Sequence, residues 1–85
     1  MPQKKNHELP PLNMEKLNRN LLSPLSDREF EITQLAYQGI TNSQIAEKLF
    51  VSVNTVKTHL KNVFLKIDAD SRLSLIHRLR VLMLK

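Results

Sequence analysis

Residues 41 to 61 read TNSQIAEKLFVSVNTVKTHLK. The spacing of their apolar positions predicts two short helices joined by a tight turn. Thr41, followed three residues later by Gln44, is a capping-box pattern: the hydroxyl accepts from one free backbone N–H while the amide answers at the other, so Thr41 can start the first helix. Ser52 precedes an apolar-periodic run that opens at Val53 and can start the second. The turn holds Phe50 and Val51, which are expected to point into a shared core and fix the angle between the helices. The pattern is that of a helix-turn-helix, whose second helix is shaped to enter the major groove of DNA.

The second helix divides into faces. Val53, Val56, Leu60, Val63, Phe64 and Ile67 fall at helical spacing and form the stripe expected to be buried. Lys57, Thr58 and Lys61, with Asn54 and Leu65, lie on one flank and round to the far side. Thr55, His59, Asn62 and Lys66 lie on the other. Asn54, Lys57, Thr58 and Lys61 are therefore the candidates for base edges, Asn54 because a carboxamide suits adenine. Thr55, His59, Asn62 and Lys66 are the candidates for phosphates, with packing as the alternative for His59 and solvation for Asn62. An ordinary solvated helix also carries lysines on its wet face. Here, however, no Asp or Glu occurs from Ser52 to Ile67, and the helix follows a capped short one, which together favour DNA.

The same residues carry a family likeness. The stretches LSDREFEI at 25 to 32, GITNSQIAEKLFVSVNTVKTHLKNV at 39 to 63, Lys66-Ile67 and Ser71-Arg72 resemble the LuxR-type, or GerE-type, helix-turn-helix domain of bacterial transcription regulators. The likeness spans residues 25 to 76. It implies an all-α, four-helix domain whose third helix reads the groove and whose fourth dimerises. By that resemblance Lys57, Thr58 and Lys61 are base-facing, while Thr41, Asn42, Thr55 and Arg72 contact the DNA backbone. The expected function is sequence-specific double-stranded DNA binding for transcription regulation, as a dimer on an inverted repeat. Four positions depart from the family pattern. Thr33 stands where an apolar residue is usual, Tyr37 where a small one is, Asp68 where glycine is, and Leu65 where a polar or basic residue is. Two other readings compete. A sigma-factor-like promoter-reading domain shares the capped first helix and the turn but lacks the Ser-Arg entry to a last helix. A protein-interaction module that had lost DNA binding would have no need to retain Thr55, Lys57, Thr58 and Lys61 together.

Composition narrows the alternatives. A chain of 85 residues is one domain that buries only about 60% of its unfolded surface, leaving little room for a catalytic cleft. No catalytic constellation is visible, so an enzyme is not expected. There is no Cys, and the three His are scattered without metal-ligand spacing, so neither metal nor cofactor is expected. The formal net charge of +5 suits an anionic partner. No apolar run approaches a membrane span and no signal peptide is visible, which fits a cytoplasmic protein. The partners expected are double-stranded DNA, a second copy of the chain and RNA polymerase.

Residues 1 to 24 are expected to be an arm or linker and residues 25 to 85 the domain. Pro10 and Pro11 forbid helix in a flexible polar stretch over residues 1 to 12, and Met14, Leu17, Leu21 and Leu22 mark a short helix over 13 to 22 that either docks or frays. The first domain helix should start at Ser26, boxed by Glu29, and stop at Gly39. The last helix, from Asp70 or Ser71, carries more apolar surface than one face can hide. A two-fold dimer with Leu79 and Leu82 or Met83 at its seam is the expected use of the excess. Both a freestanding regulator and the C-terminal effector of a longer one fit these features.

Overall fold

Each described helix of the protein begins on a side-chain cap. The computed structural model describes residues 11 to 85, which form α1 (Met14–Arg19), α2 (Asp27–Tyr37), α3 (Asn42–Leu49), α4 (Val53–Ile67) and α5 (Arg72–Met83), with no strand among them. The arm expected over residues 1 to 12 lies mostly outside the described residues. Asn13, Ser26, Thr41, Ser52 and Ser71 each accept a backbone N–H from the first turn that follows. The boxes expected at Ser26–Glu29 and Thr41–Gln44 are closed in both directions. Each cap satisfies a donor that the helix cannot, and typically contributes ~1 kcal/mol.

The helix ends share a second device. Gly39, Phe50 and Asp68 adopt left-handed conformations, with φ of 88°, 59° and 64°. In each case the next residue donates its N–H five positions back: Ile40 to Leu35 at 3.1 Å, Val51 to Ala46 at 3.0 Å, and Ala69 to Phe64 at 2.9 Å. Each of those next residues packs against the core. This is the Schellman closure, in which a left-handed residue turns the chain and its successor supplies the apolar contact. Asp68 tolerates the glycine-like position, as its short polar side chain allows.

The closure also corrects the reading of the α3–α4 turn. Phe50 and Val51 do not both point inward. Val51 docks, whereas Phe50, at the left-handed position, is 94% exposed.

The core sits between α2, α3 and α4, with α5 laid across α2 and α4. Ile32 and Ala36 of α2, Ile45 and Ala46 of α3, Val56, Leu60, Val63 and Ile67 of α4, and Leu75, Leu79, Leu82 and Met83 of α5 are buried in one cluster. The short helix α1 joins this cluster. Its Leu17 is fully buried, the Lys16 ammonium donates to the carbonyl of Met83, and the Asn18 carboxamide bridges both backbone groups of Leu25. Docking is thus the outcome for the short helix, and the packed unit starts before residue 25.

The expected seam of a dimer is corrected by the same packing. Leu79, Leu82 and Met83 lie on the inner face of α5, where they fill the protomer's own core. The outward face carries Leu73 and Leu84, exposed at 79% and 78%, with His77 and Arg80 between them. Counting the apolar residues of this helix overestimated the surplus because α1 covers part of it.

Thr33 is the one flaw in the core. It is fully buried, and its hydroxyl has no hydrogen-bond partner among the described residues. A buried hydroxyl without a partner costs about 1–3 kcal/mol. Thr33→Val keeps the shape and removes that cost. Thermal unfolding should show a rise in Tm of roughly 4–8 °C per kcal/mol recovered in a domain of this size, without change in fold.

Candidate nucleic-acid interface

The stripe that buries α4 leaves its opposite side bare. Asn54, Lys57, Thr58 and Lys61 are exposed. None of their side chains makes a hydrogen bond or ion pair with any described residue, so their donors are free for a ligand. No acidic side chain shares the helix. Thr55, at the edge of this face, is already engaged: its hydroxyl lies 3.0 Å from that of Ser52, and its N–H is capped by the same oxygen at 3.0 Å. With Ser52 donating in that bond, the single O–H of Thr55 stays available for a phosphate or a water. His59 is partly buried and Asn62 exposed on the same flank.

The remaining phosphate candidates divide between two sides of α4. On one side a groove is lined by Asn42, Lys57, Leu60, Lys61, Phe64 and Arg72. It brings together the first residue of α3, the two free lysines of α4 and the first residue of α5. Lys57 and Lys61, expected at bases, and Asn42 and Arg72, expected at phosphates, thus share one depression, which their spacing in the sequence does not indicate. Thr41, exposed, caps α3 beside it through a 3.2 Å bond from the Gln44 N–H. On the other side Asn62, Leu65 and Lys66 line a second depression with Ser23 and Glu29.

Two of the candidate cations are held by protein. The Lys66 ammonium lies 2.7 Å from the Glu29 carboxylate and 3.0 Å from the Pro24 carbonyl. It fastens the end of α4 to the start of α2, and its charge is neutralised there. The Arg72 guanidinium donates to the carbonyls of Ala36 and Ile40 and to the Asn42 side chain. Nothing local in the sequence signals either tie, since their partners lie 30 or more residues away.

Comparison with known proteins places this geometry. The family model described as bacterial regulatory proteins, luxR family, matches residues 23 to 79. The transcriptional regulatory protein LiaR of Bacillus subtilis (strain 168) is 46% identical over 48 residues, which cover 56% of this chain and 23% of LiaR. The HTH-type transcriptional regulator MalT of Vibrio campbellii (strain ATCC BAA-1116) is 42% identical over 50 residues, covering 59% of this chain and 6% of MalT. In the crystal structure of the response regulator ChrA of a heme-sensing two-component system, a similar region covers 74% of this chain and 31% of ChrA, at a TM-score of 0.68 and 44% identity. The match thus spans about a quarter of LiaR and a far smaller part of MalT.

The Glu29–Lys66 contact has a pH signature. Burial favours the protonated carboxyl, but hydrogen bonds from Lys66 and from the Ser26 backbone N–H outweigh it and hold Glu29 below its ordinary value of 4.5. A carboxyl lowered in the folded state contributes stability that is complete above the ordinary value and is lost as pH falls through the lowered one. The Glu29 side chain is only 8% exposed, so its pairing is little screened by water. In urea unfolding at neutral pH, Glu29→Gln should cost about 1–3 kcal/mol, the worth of a hydrogen bond to a charged group, because Lys66 loses its counter-charge. The difference between parent and variant should shrink as pH falls below the ordinary value of 4.5, where the parent's carboxyl begins to take up a proton.

Proposed function

The chain belongs to the luxR family of bacterial regulatory proteins, and from that membership together with the free face of α4 we propose that it reads double-stranded DNA by sequence, with α4 in the major groove, as the DNA-binding part of a transcription regulator. The family is one of regulators rather than of enzymes. One observation carries the finer reading: Asn54, Lys57, Thr58 and Lys61 form an exposed row, with no partner among the described residues and no acid on the same helix, on the second helix of a capped helix-turn-helix. In this reading Lys57, Thr58 and Lys61 meet base edges, with Asn54 toward an adenine, while Thr41, Asn42 and Thr55 meet phosphates. His59 and Asn62 flank the same backbone. No described helix is long and apolar enough to cross a membrane, and a protein acting on bacterial DNA works in the cytoplasm.

Dimerisation through α5 belongs to the same proposal, on its outward face rather than its inner one. Leu73, His77, Arg80 and Leu84 follow one another along that face at helical spacing. Leu73 and Leu84 offer apolar area to a second copy, but Arg80 and its copy add like charge to the seam. Association without DNA is then weak, and the duplex itself brings the pair together. Two α4 helices related by a two-fold axis would meet major grooves about 34–36 Å apart, on an inverted repeat.

A titration of a duplex selected from random sequence tests both parts. The parent should bind with a log–log salt slope of several, at about 0.9 per phosphate neutralised, and with two protomers per site. Lys61→Ala should lower discrimination between selected and scrambled duplex by roughly 1–3 kcal/mol. Leu73→Glu, at an exposed position, should leave the fold intact and remove the second binding event. A slope near zero would overturn the DNA reading. One protomer per site, unaffected by Leu73→Glu, would overturn the dimer alone.

A further inference from the structure

Arg72 and Asn42 form a unit that links three helices. Arg72 is the first residue of α5 and Asn42 the first of α3. Nη1 of Arg72 donates to the carbonyl oxygens of Ala36, at 3.1 Å in the last turn of α2, and of Ile40, at 3.0 Å just before the α3 cap. Nη2 donates to Oδ1 of Asn42 at 2.7 Å. A guanidinium has five N–H groups in a rigid plane and no acceptor. Three of them are committed to protein atoms in fixed directions, and the side chain is half-buried. Arg72 is therefore spent largely on the fold.

The consequence falls on Asn42. Because the guanidinium offers only donors, the carboxamide must meet it through oxygen, which fixes the orientation of the amide. Nδ2 is left with two N–H groups that bond nothing among the described residues. Asn42 stands on the wall of the groove that also holds the free ammonium groups of Lys57 and Lys61. A donor held in place before a ligand arrives gives up little further freedom on binding.

We propose that Arg72 is a positioning residue for DNA binding, locking the Asn42 carboxamide so that Nδ2 is preset as a phosphate donor beside the Lys57–Lys61 groove. The proposal rests on the reading of α4 as the DNA-reading helix. Two residues expected alike to contact the DNA backbone thereby separate: Asn42 touches the phosphate, and Arg72 acts through Asn42.

The test uses the full chain, a mixed-sequence duplex of about three helical turns, and Tm recorded for every variant. Asn42→Asp keeps the acceptor for Arg72, strengthens it by charge and suits the helix N-terminus, so Tm should hold or rise. It also replaces the donor with an acid facing phosphate, so affinity should fall at least tenfold, about one charge-assisted hydrogen bond. Arg72→Lys keeps the charge but not the fork. It should weaken binding by about the same factor as Asn42→Ala, roughly three- to tenfold for one hydrogen bond, with the salt slope unchanged. In the Asn42→Ala background it should add little.

Independent, multiplying effects of Arg72→Lys and Asn42→Ala would overturn the positioning role, as would parent-like binding by Asn42→Asp. Should Arg72→Lys prove too unstable to titrate, the Asn42→Asp split between stability and affinity decides alone. A parent that fails to bind the duplex would overturn the DNA reading itself. A parent that binds with a normal salt slope, but without coupling between the two positions, would overturn only this inference.

Discussion

Burial of Val56, Leu60, Val63 and Ile67 against α2, α3 and α5 is the contact on which the rest of the domain leans. It turns one side of α4 into core and so decides which side is left to solvent. Rotation of α4 by a single residue, about 100°, would carry Lys57 toward the core and the valines toward water. The apolar stripe and the polar row are therefore one constraint seen from two sides: the energy that folds the domain also aims its lysines. A small domain has few such contacts to spare, which is why turns and ties carry unusual weight here.

Those turns and ties hold the frame around α4. Three successive helices close through a left-handed residue and a docked successor, so the angles between α2, α3, α4 and α5 are set by backbone hydrogen bonds as much as by side-chain packing. Lys66 pins the end of α4 to the start of α2 through Glu29. Arg72 pins the start of α5 to the turn between α2 and α3. Both are cations that a count of basic residues would credit to the ligand, yet their geometry commits most of their donors to the protein. Lys57 and Lys61, without partners among the described residues, supply the free positive charge on α4.

Local signals were legible in the sequence and long-range ones were not. The caps at Ser26, Thr41 and Ser52 and the stop at Gly39 follow from residue type and spacing over a few positions, and the structure agrees with each. The stripe of α4 is buried at Val56, Leu60, Val63 and Ile67 and partly buried at Val53 and Phe64, and the last helix, open between Asp70 and Ser71, is capped by Ser71. Phe50 was misjudged because side-chain direction at a left-handed residue depends on the backbone rather than on hydropathy. The seam residues on α5 were misjudged because apolar composition does not say which face a neighbour covers, and here α1 and the core take Leu79, Leu82 and Met83. The engagement of Arg72 and Lys66 was invisible for the same reason: their partners are distant in sequence. The exposed row on α4 was legible because helical spacing alone separates it from the stripe.

The central claim is that the bare side of α4, with the edge of α3, is the surface that meets DNA. Backbone and side-chain amide NMR shifts, followed while a selected duplex is added, test it most directly. The largest changes should fall on Thr41, Asn42, Asn54, Thr55, Lys57, Thr58 and Lys61, while Glu15 and Arg19 of α1 and Arg28 and Glu31 of α2 stay where they are. Changes concentrated on α1 or on the outer face of α2, with the row on α4 unmoved, would contradict it.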